Sequence, residues 1–126
     1  SYIDEHKATS SIVNISSNSA IRGYAFKSIY AAAKAAVNNL TQSVAKELSG
    51  RKVRVNAISP GTINTPGVQD YFKAEPNAKK YLESSVLLER IGDPEDIGDA
   101  VVFLLSEKSN YITGQIISVD GGSSIN

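Results

Sequence analysis

Apolar positions along this chain change their period several times, and each change marks an element. "SIVNIS", residues 11–16, is a short β-rich run that ends in small polar residues, the pattern of a buried strand. "SSNSAIRGYAF" follows as a loop. From about Lys27 to Leu48 the pattern turns helical, with Ala33, Val37, Leu40, Val44 and Leu48 three or four apart and Gly50 as the stop. "VRVNAIS", residues 53–59, is a second strand, broken by Pro60-Gly61.

Residues 62–90 hold no sustained period, only short helical patches around Pro66, Gly67 and Pro76. Asp93 then offers an N-cap and Pro94 the first helical position, while Glu95 and Asp96 suit the positive end of the helix dipole. That helix directs Ile97, Val101, either Phe103 or Leu104, and Leu105 toward a core. "QIISVDGG", residues 115–122, is a third strand closed by paired glycines. The opening "SYIDEHKATS" is similar to a helix end, where His6 is expected to be exposed and not a ligand.

Strands alternating with helices of this length imply parallel pairing through right-handed crossovers, hence an α/β fold built on part of a doubly wound sheet. Ligands of such sheets bind beyond the carboxyl ends of the strands. Here those ends are Ser16-Ser17, Pro60-Gly61 and Asp120-Gly121-Gly122.

Composition narrows the function classes. Thirteen basic and thirteen acidic residues cancel, which speaks against a nucleic-acid or anionic-membrane partner. No apolar run is long enough to span a bilayer. The absence of cysteine removes disulfides and thiolate metal sites and makes a reducing, cytoplasmic setting the expectation. A start at Ser1 without any methionine in 126 residues fits a piece of a longer protein.

The candidate chemistry lies in "SIYAAAKAA", residues 28–36, where Tyr30 and Lys34 are four apart and share a helix face. A phenol with a pKa near ~10 is a poor base at neutral pH, and an ammonium one turn away favours the phenolate. Such a pair can exchange a proton with a substrate hydroxyl or carbonyl. A hydroxyl such as that of Ser17 can hold the same substrate oxygen. The bland alternative is a packing tyrosine, a solvated lysine and a strand-end serine. Tyr24 has no lysine four residues on and is a poor rival.

Taken in order, Ser17, twelve residues, Tyr30, three residues and Lys34 carry a stronger signal. Together with "IVNISS", "VRVNAISPG", "RIGDPEDIGDAVVFLLSE" and "ITGQIISVDGG" they resemble the short-chain dehydrogenase/reductase family over essentially the whole chain. The resemblance implies the C-terminal portion of a doubly wound, Rossmann-type sheet. Residues 1–126 would be the C-terminal half of one such domain and 62–90 its substrate lid. It also implies Tyr30 as acid/base and Lys34 as the group that lowers its pKa and binds the nicotinamide ribose, with Ser17 positioning the substrate oxygen. Pro60 and Gly61 would line the nicotinamide side of NAD or NADP, with the Ile63 backbone and the Thr65 hydroxyl near the carboxamide or phosphates. A plain strand-ending turn and a solvated loop hydroxyl remain the alternatives at these positions. Asp120-Gly121-Gly122 would be a turn and subunit-contact element. Asn14, Arg54 and Asn56 are expected to tie the structure together, and Tyr71, Phe72 and Tyr81 to pack rather than touch substrate.

Two parts of the family pattern are missing. None of the nine glycines forms a G-x-G pair, so the phosphate-binding turn is absent, and the family's active-site asparagine belongs before Ser1. The expectation is therefore half of a longer enzyme, inactive alone, with an inner sheet edge exposed. The whole would be an NAD(P)-dependent oxidoreductase interconverting a small-molecule alcohol and ketone without metal. It is similar to 3-oxoacyl-carrier-protein reductases or to sugar and hydroxy-acid dehydrogenases, and "PGTINTP" leans toward the latter. The enoyl-reductase branch is disfavoured by its longer Tyr-to-Lys separation. A homodimer or homotetramer, paired through the long helix and the terminal helix and strand, is expected. The alternatives are a non-catalytic NAD(P)-binding regulator and an inactive derivative of the family.

Overall fold

The computed structural model describes residues 10–126, so His6 and the helix-like opening lie outside the described residues. Three strands, β1 (Ser10–Ile15), β2 (Val53–Pro60) and β3 (Ile116–Val119), form a parallel sheet in the order β1-β2-β3. Ser10 lies opposite Val53, and Ala57 opposite both Asn14 and Ile116. Four α-helices intervene: α1 (Ser28–Glu47), α2 (Pro66–Ala74), α3 (Pro76–Ser84) and α4 (Pro94–Leu105).

Alternation along β2 assigns the helices to opposite faces. Val53 and Val55 pack on Ala45, Val44 and Leu48 of α1. Arg54 points the other way and donates to the carbonyl oxygens of Leu104 (2.8 Å) and Ser106 (3.0 Å). A cation there also complements the carbonyl-rich end of α4. β2 is therefore covered on both faces, with Ala57, Ile58 and Ser59 completely buried. Buried Asn56 donates to the Ile112 carbonyl and accepts from the Gln115 N–H. Asn14 donates to Thr41 Oγ1. All three side chains that were expected to tie the structure together do so.

The inward face of α1 differs from the expected stripe. Ala33 is exposed and Leu40 is 56% exposed. The buried line instead runs through Val37, Thr41, Ala45 and Leu48. Thr41 can be fully buried because its hydroxyl donates to the Val37 carbonyl (2.8 Å) and accepts from Asn14 (2.9 Å). On α4 it is Leu104 that turns inward, while Phe103 and Leu105 are 43% and 49% exposed.

The irregular segment contains two nine-residue helices, each with proline in its first turn. Neither holds a buried residue; Tyr71 and Phe72 stand three and four residues after Val68, but nine residues are too few for a sustained period to show. The Tyr71 and Phe72 rings lie 5.8 Å apart, whereas Tyr81 is largely exposed. A bridge between Ile63 and Gly92 ties off the segment. Its end, at Val86 and Leu87, rests on the paired glycines after β3. Both glycines have positive φ (61° and 86°), and a Cβ on either would lie 2.6 or 2.7 Å from those side chains.

Among the described residues β1 pairs only with β2, and Ile12 and Ile15 are partly exposed. Among them, too, no helix is long and apolar enough to cross a membrane.

Candidate functional site

The carboxyl ends of the strands converge with the start of α1. After β1 the chain makes a 3₁₀ turn, Asn18–Ala20, capped by Ser17, whose Oγ accepts the Ser19 N–H at 3.1 Å. Ser16 pins this turn to its neighbours. Its N–H donates to the Ile58 carbonyl (2.7 Å) and its hydroxyl to the Lys34 carbonyl (3.2 Å). Tyr30 stands in the first turn of α1 and is half-exposed. One turn on, Lys34 Nζ donates to the Ile15 carbonyl at 2.9 Å and lies 5.8 Å from the centre of the Tyr30 ring. One of the three ammonium protons is thus committed, which fixes Lys34 against β1.

Ser17, Tyr30, Gly61, Ile63 and Thr65 line one cleft of about 410 Å³. Lys34 and Pro60 are not in its lining. Lys34 is tied to the Ile15 carbonyl next to the Tyr30 ring, and Pro60 closes β2 opposite Val119. Gly61 has a packing reason of its own, because a Cβ there would lie 2.8 Å from Asp120 Cβ. Thr65 is the N-cap of α2, yet its side chain makes no capping bond, so the hydroxyl is not consumed by the helix end.

The cleft also takes in residues that the motif spacing did not mark: Asn18, Thr62 and Lys27. Lys27 was legible only as a cation three residues before Tyr30, at a spacing that brings helix side chains together. An adjoining cleft of about 250 Å³ shares those three residues and extends between Arg22, Tyr81 of α3 and Ser123. Tyr81 therefore faces a cavity and does not serve packing alone. Tyr24 has another role: its hydroxyl accepts from Asn18 (3.3 Å) and its ring lies under Lys27.

Asp120 packs against Gly61 and holds the turn after β3. Burial pushes its carboxyl up, but hydrogen bonds from the Ser124 side, the Gly122 N–H and the Ser123 hydroxyl outweigh this and hold it below its ordinary value. Its carboxylate is occupied by this turn. The clefts themselves present hydroxyls, amides and cations, a set suited to gripping polar oxygen-bearing ligands.

The family profile described as "Enoyl-(Acyl carrier protein) reductase" matches residues 3–124. A 3-oxoacyl-[acyl-carrier-protein] reductase of Thermotoga maritima is 45% identical over 112 residues, covering 89% of this chain and 44% of that protein. An L-rhamnose-1-dehydrogenase of Scheffersomyces stipitis is 43% identical over 116 residues, with 92% and 45% covered. A solved structure of a putative 2-deoxy-D-gluconate 3-dehydrogenase from Agrobacterium tumefaciens with bound NADP superposes with a TM-score of 0.88 at 34% identity, covering 97% of this chain and 49% of that one. The chain spans about half the length of the curated relatives it matches. On this match, with a parallel sheet wound on both faces, the chain belongs to the short-chain dehydrogenase/reductase family.

Proposed function

We propose that the protein is an NAD(P)-dependent oxidoreductase interconverting an alcohol and a ketone, with Tyr30 as the acid/base. The observation that carries this reading is the convergence of Ser17, Tyr30, Ile63 and Thr65 on one cleft, with Lys34 locked behind Tyr30 by the Ile15 carbonyl.

The residues present fit the nicotinamide end of the cofactor. Lys34 has two ammonium donors beyond the one given to Ile15, enough for vicinal ribose hydroxyls. Thr65 and the backbone around Gly61 and Ile63 suit a carboxamide. No glycine-rich turn for the phosphates occurs in the sequence, so this reading assigns the chain the nicotinamide half only. It also treats residues 1–126 as the C-terminal half of one such domain and 62–90 as its lid. Bound there, the nicotinamide supplies or accepts the hydride. In the reductive direction Ser17 and Tyr30 hydrogen-bond the carbonyl oxygen, and Tyr30 delivers the proton to it. Lys34 stabilises the phenolate left behind and keeps the ring in position.

The relatives named above are a 3-oxoacyl-[acyl-carrier-protein] reductase and an L-rhamnose-1-dehydrogenase. The four-residue Tyr-to-Lys separation favours carbonyl reduction over the enoyl chemistry that the family profile's description mentions. A cytoplasmic homodimer or homotetramer accords with the lack of cysteine and with the exposed Leu40 of α1 and Val102 of α4. The test is a nicotinamide-absorbance screen of the full-length protein against ketones and alcohols with NADH, NADPH and their oxidised forms. Turnover with one pair supports the reading. Cofactor binding without hydride transfer to any carbonyl would favour the regulator reading instead.

A further inference from the structure

The loop after β2 forms a wall between two cavities. Thr62 and Ile63 line the cleft that contains Tyr30, and on their other side lies a smaller cavity of about 160 Å³. Close packing therefore does not by itself fix the loop from behind. Two backbone bonds do. The Gly92 N–H donates to the Thr62 carbonyl (3.1 Å), and the Asn64 N–H donates to the Gly92 carbonyl (2.8 Å). These bonds flank Ile63 in a parallel bridge, so its own N–H points away from Gly92.

Gly92 is pinned in turn. Arg90 donates to both oxygens of Asp96, Nη1 to Oδ2 at 2.7 Å and Nη2 to Oδ1 at 2.8 Å. Nη1 also reaches the Ile91 carbonyl at 3.2 Å. Asp96 Oδ2 accepts the Asp93 N–H as well (2.8 Å), so the fork grips the backbone on either side of Gly92. A Cβ on Gly92 would lie 2.7 Å from Ile63 Cδ1 and 3.5 Å from Asp96 Oδ2. The glycine is thus sandwiched between Ile63 and the carboxylate. Arg90 and Asp96 side chains are 50% and 33% exposed, and ion pairs open to solvent add little stability. What a bidentate fork adds is direction.

We propose that Arg90 and Asp96 are positioning residues for the nicotinamide: their fork sets Gly92, and Gly92 sets the backbone from Thr62 to Asn64. Neither side chain lines the cleft of Tyr30, so the pair acts only through Gly92 and Ile63. This rests on the reductase reading above and adds the element that keeps the nicotinamide loop in register with Tyr30. Small displacements between reacting groups lower rates steeply, so a slack loop costs hydride transfer more than it costs binding.

The test uses the full-length protein, the carbonyl substrate selected by the screen above, and the variants Asp96→Asn, Asp96→Glu and Arg90→Lys. Asparagine still accepts the Asp93 N–H but gives the guanidinium no carboxylate. Lysine keeps the charge and loses the fork. Glutamate is the usual residue at this place in a capping box and retains the pair. Affinity for NADH or NADPH is measured beside that for ADP-ribose or its 2′-phosphate, which lack the nicotinamide. Asp96→Asn and Arg90→Lys should lower kcat at least tenfold and weaken the reduced cofactor at least threefold, while affinity for the nicotinamide-free probe changes less than twofold. Asp96→Glu should restore most of both losses. Asn56→Ala, which removes a buried tie to residues 112 and 115, is the destabilised control and should leave the ratio of the two affinities unchanged. A native kcat in Asp96→Asn, or an equal loss of both ligands, overturns the proposal and leaves the reductase reading standing. Wild-type protein that turns over no carbonyl, yet loses NADH or NADPH selectively in Asp96→Asn, defeats the reductase and retains the positioning role. The absence of both effects defeats both.

Discussion

The ammonium of Lys34 donates to the carbonyl oxygen of Ile15 at 2.9 Å, tying the second turn of α1 to the last residue of β1. Ser16 repeats the tie from the other side, its hydroxyl donating to the backbone carbonyl of Lys34. The lysine of the motif is thus also a structural joint. Replacing it by methionine should lower kcat/KM by about 10²–10⁴-fold, the range for losing an acid–base partner, and should weaken cofactor binding as well. Arginine should recover part of the cofactor affinity but little of kcat, because its fork does not match a point-charge site. Steady-state kinetics with separate cofactor titrations check this.

Thr41 joins α1 to β1 at full burial. Thr41→Val keeps the shape but leaves the Asn14 amide without its acceptor. The expected cost is about 1–3 kcal/mol, that of an unsatisfied buried donor. Urea unfolding of Thr41→Val, of Asn14→Ala and of the pair should show strong coupling between the two positions, with the double variant losing less than the sum.

Gly121→Ala places a side chain at φ 61° with its Cβ 2.6 Å from Val86 Cγ1. Backbone strain of about 1–3 kcal/mol adds to displacement of the segment that lines the second cleft. The unfolding temperature should fall, and KM should rise more than kcat falls. Gly50→Ala, where a Cβ meets nothing within 4 Å, is the matched control and should do neither.

Acid should loosen the start of α4. The Asp96 carboxylate, hydrogen-bonded by the Arg90 guanidinium and by the Asp93 N–H, is held at about 2 against an ordinary 3.8. Its folded value lies below its unfolded one, so the stability it contributes is present above an ordinary carboxylate pKa and is lost as pH falls toward 2. The lowered Asp120 carboxyl acts in the same direction. Asp96→Asn should flatten the acid limb of a stability–pH curve between about pH 4 and pH 2 and leave its shape near neutrality unchanged.

The sequence made the proposed proton-handling set legible because spacing along a helix and at strand ends is nearly geometric. Ser17, Tyr30 and Thr65 meet across a sheet whose parallel order followed from strand–helix alternation. The start of α4 was equally readable, since Asp93 and Pro94 act through local backbone chemistry. Asn14, Arg54 and Asn56 were legible as ties, but other positions that tertiary partners decide were not. Leu40 looked like core by period, but a buried threonine with two hydrogen-bond partners took the inward line. α2 and α3 are nine residues each, too short for their apolar spacing to stand out as a sustained period. Gly61 lines the cleft, and its contact with Asp120 gives it a second reason to be glycine that the sequence did not show. Lys27 was an ordinary surface cation in the sequence, and only the structure places it in the lining of both clefts.

The most direct measurement is hydride transfer by the full-length protein carrying Tyr30→Phe, followed by nicotinamide absorbance, with cofactor affinity measured in parallel. The proposal predicts a kcat lower by about 10²–10⁴-fold with cofactor binding nearly unchanged, because the ring remains and only the exchangeable proton is gone. Turnover at the native rate in Tyr30→Phe would contradict it and move the acid/base to another residue.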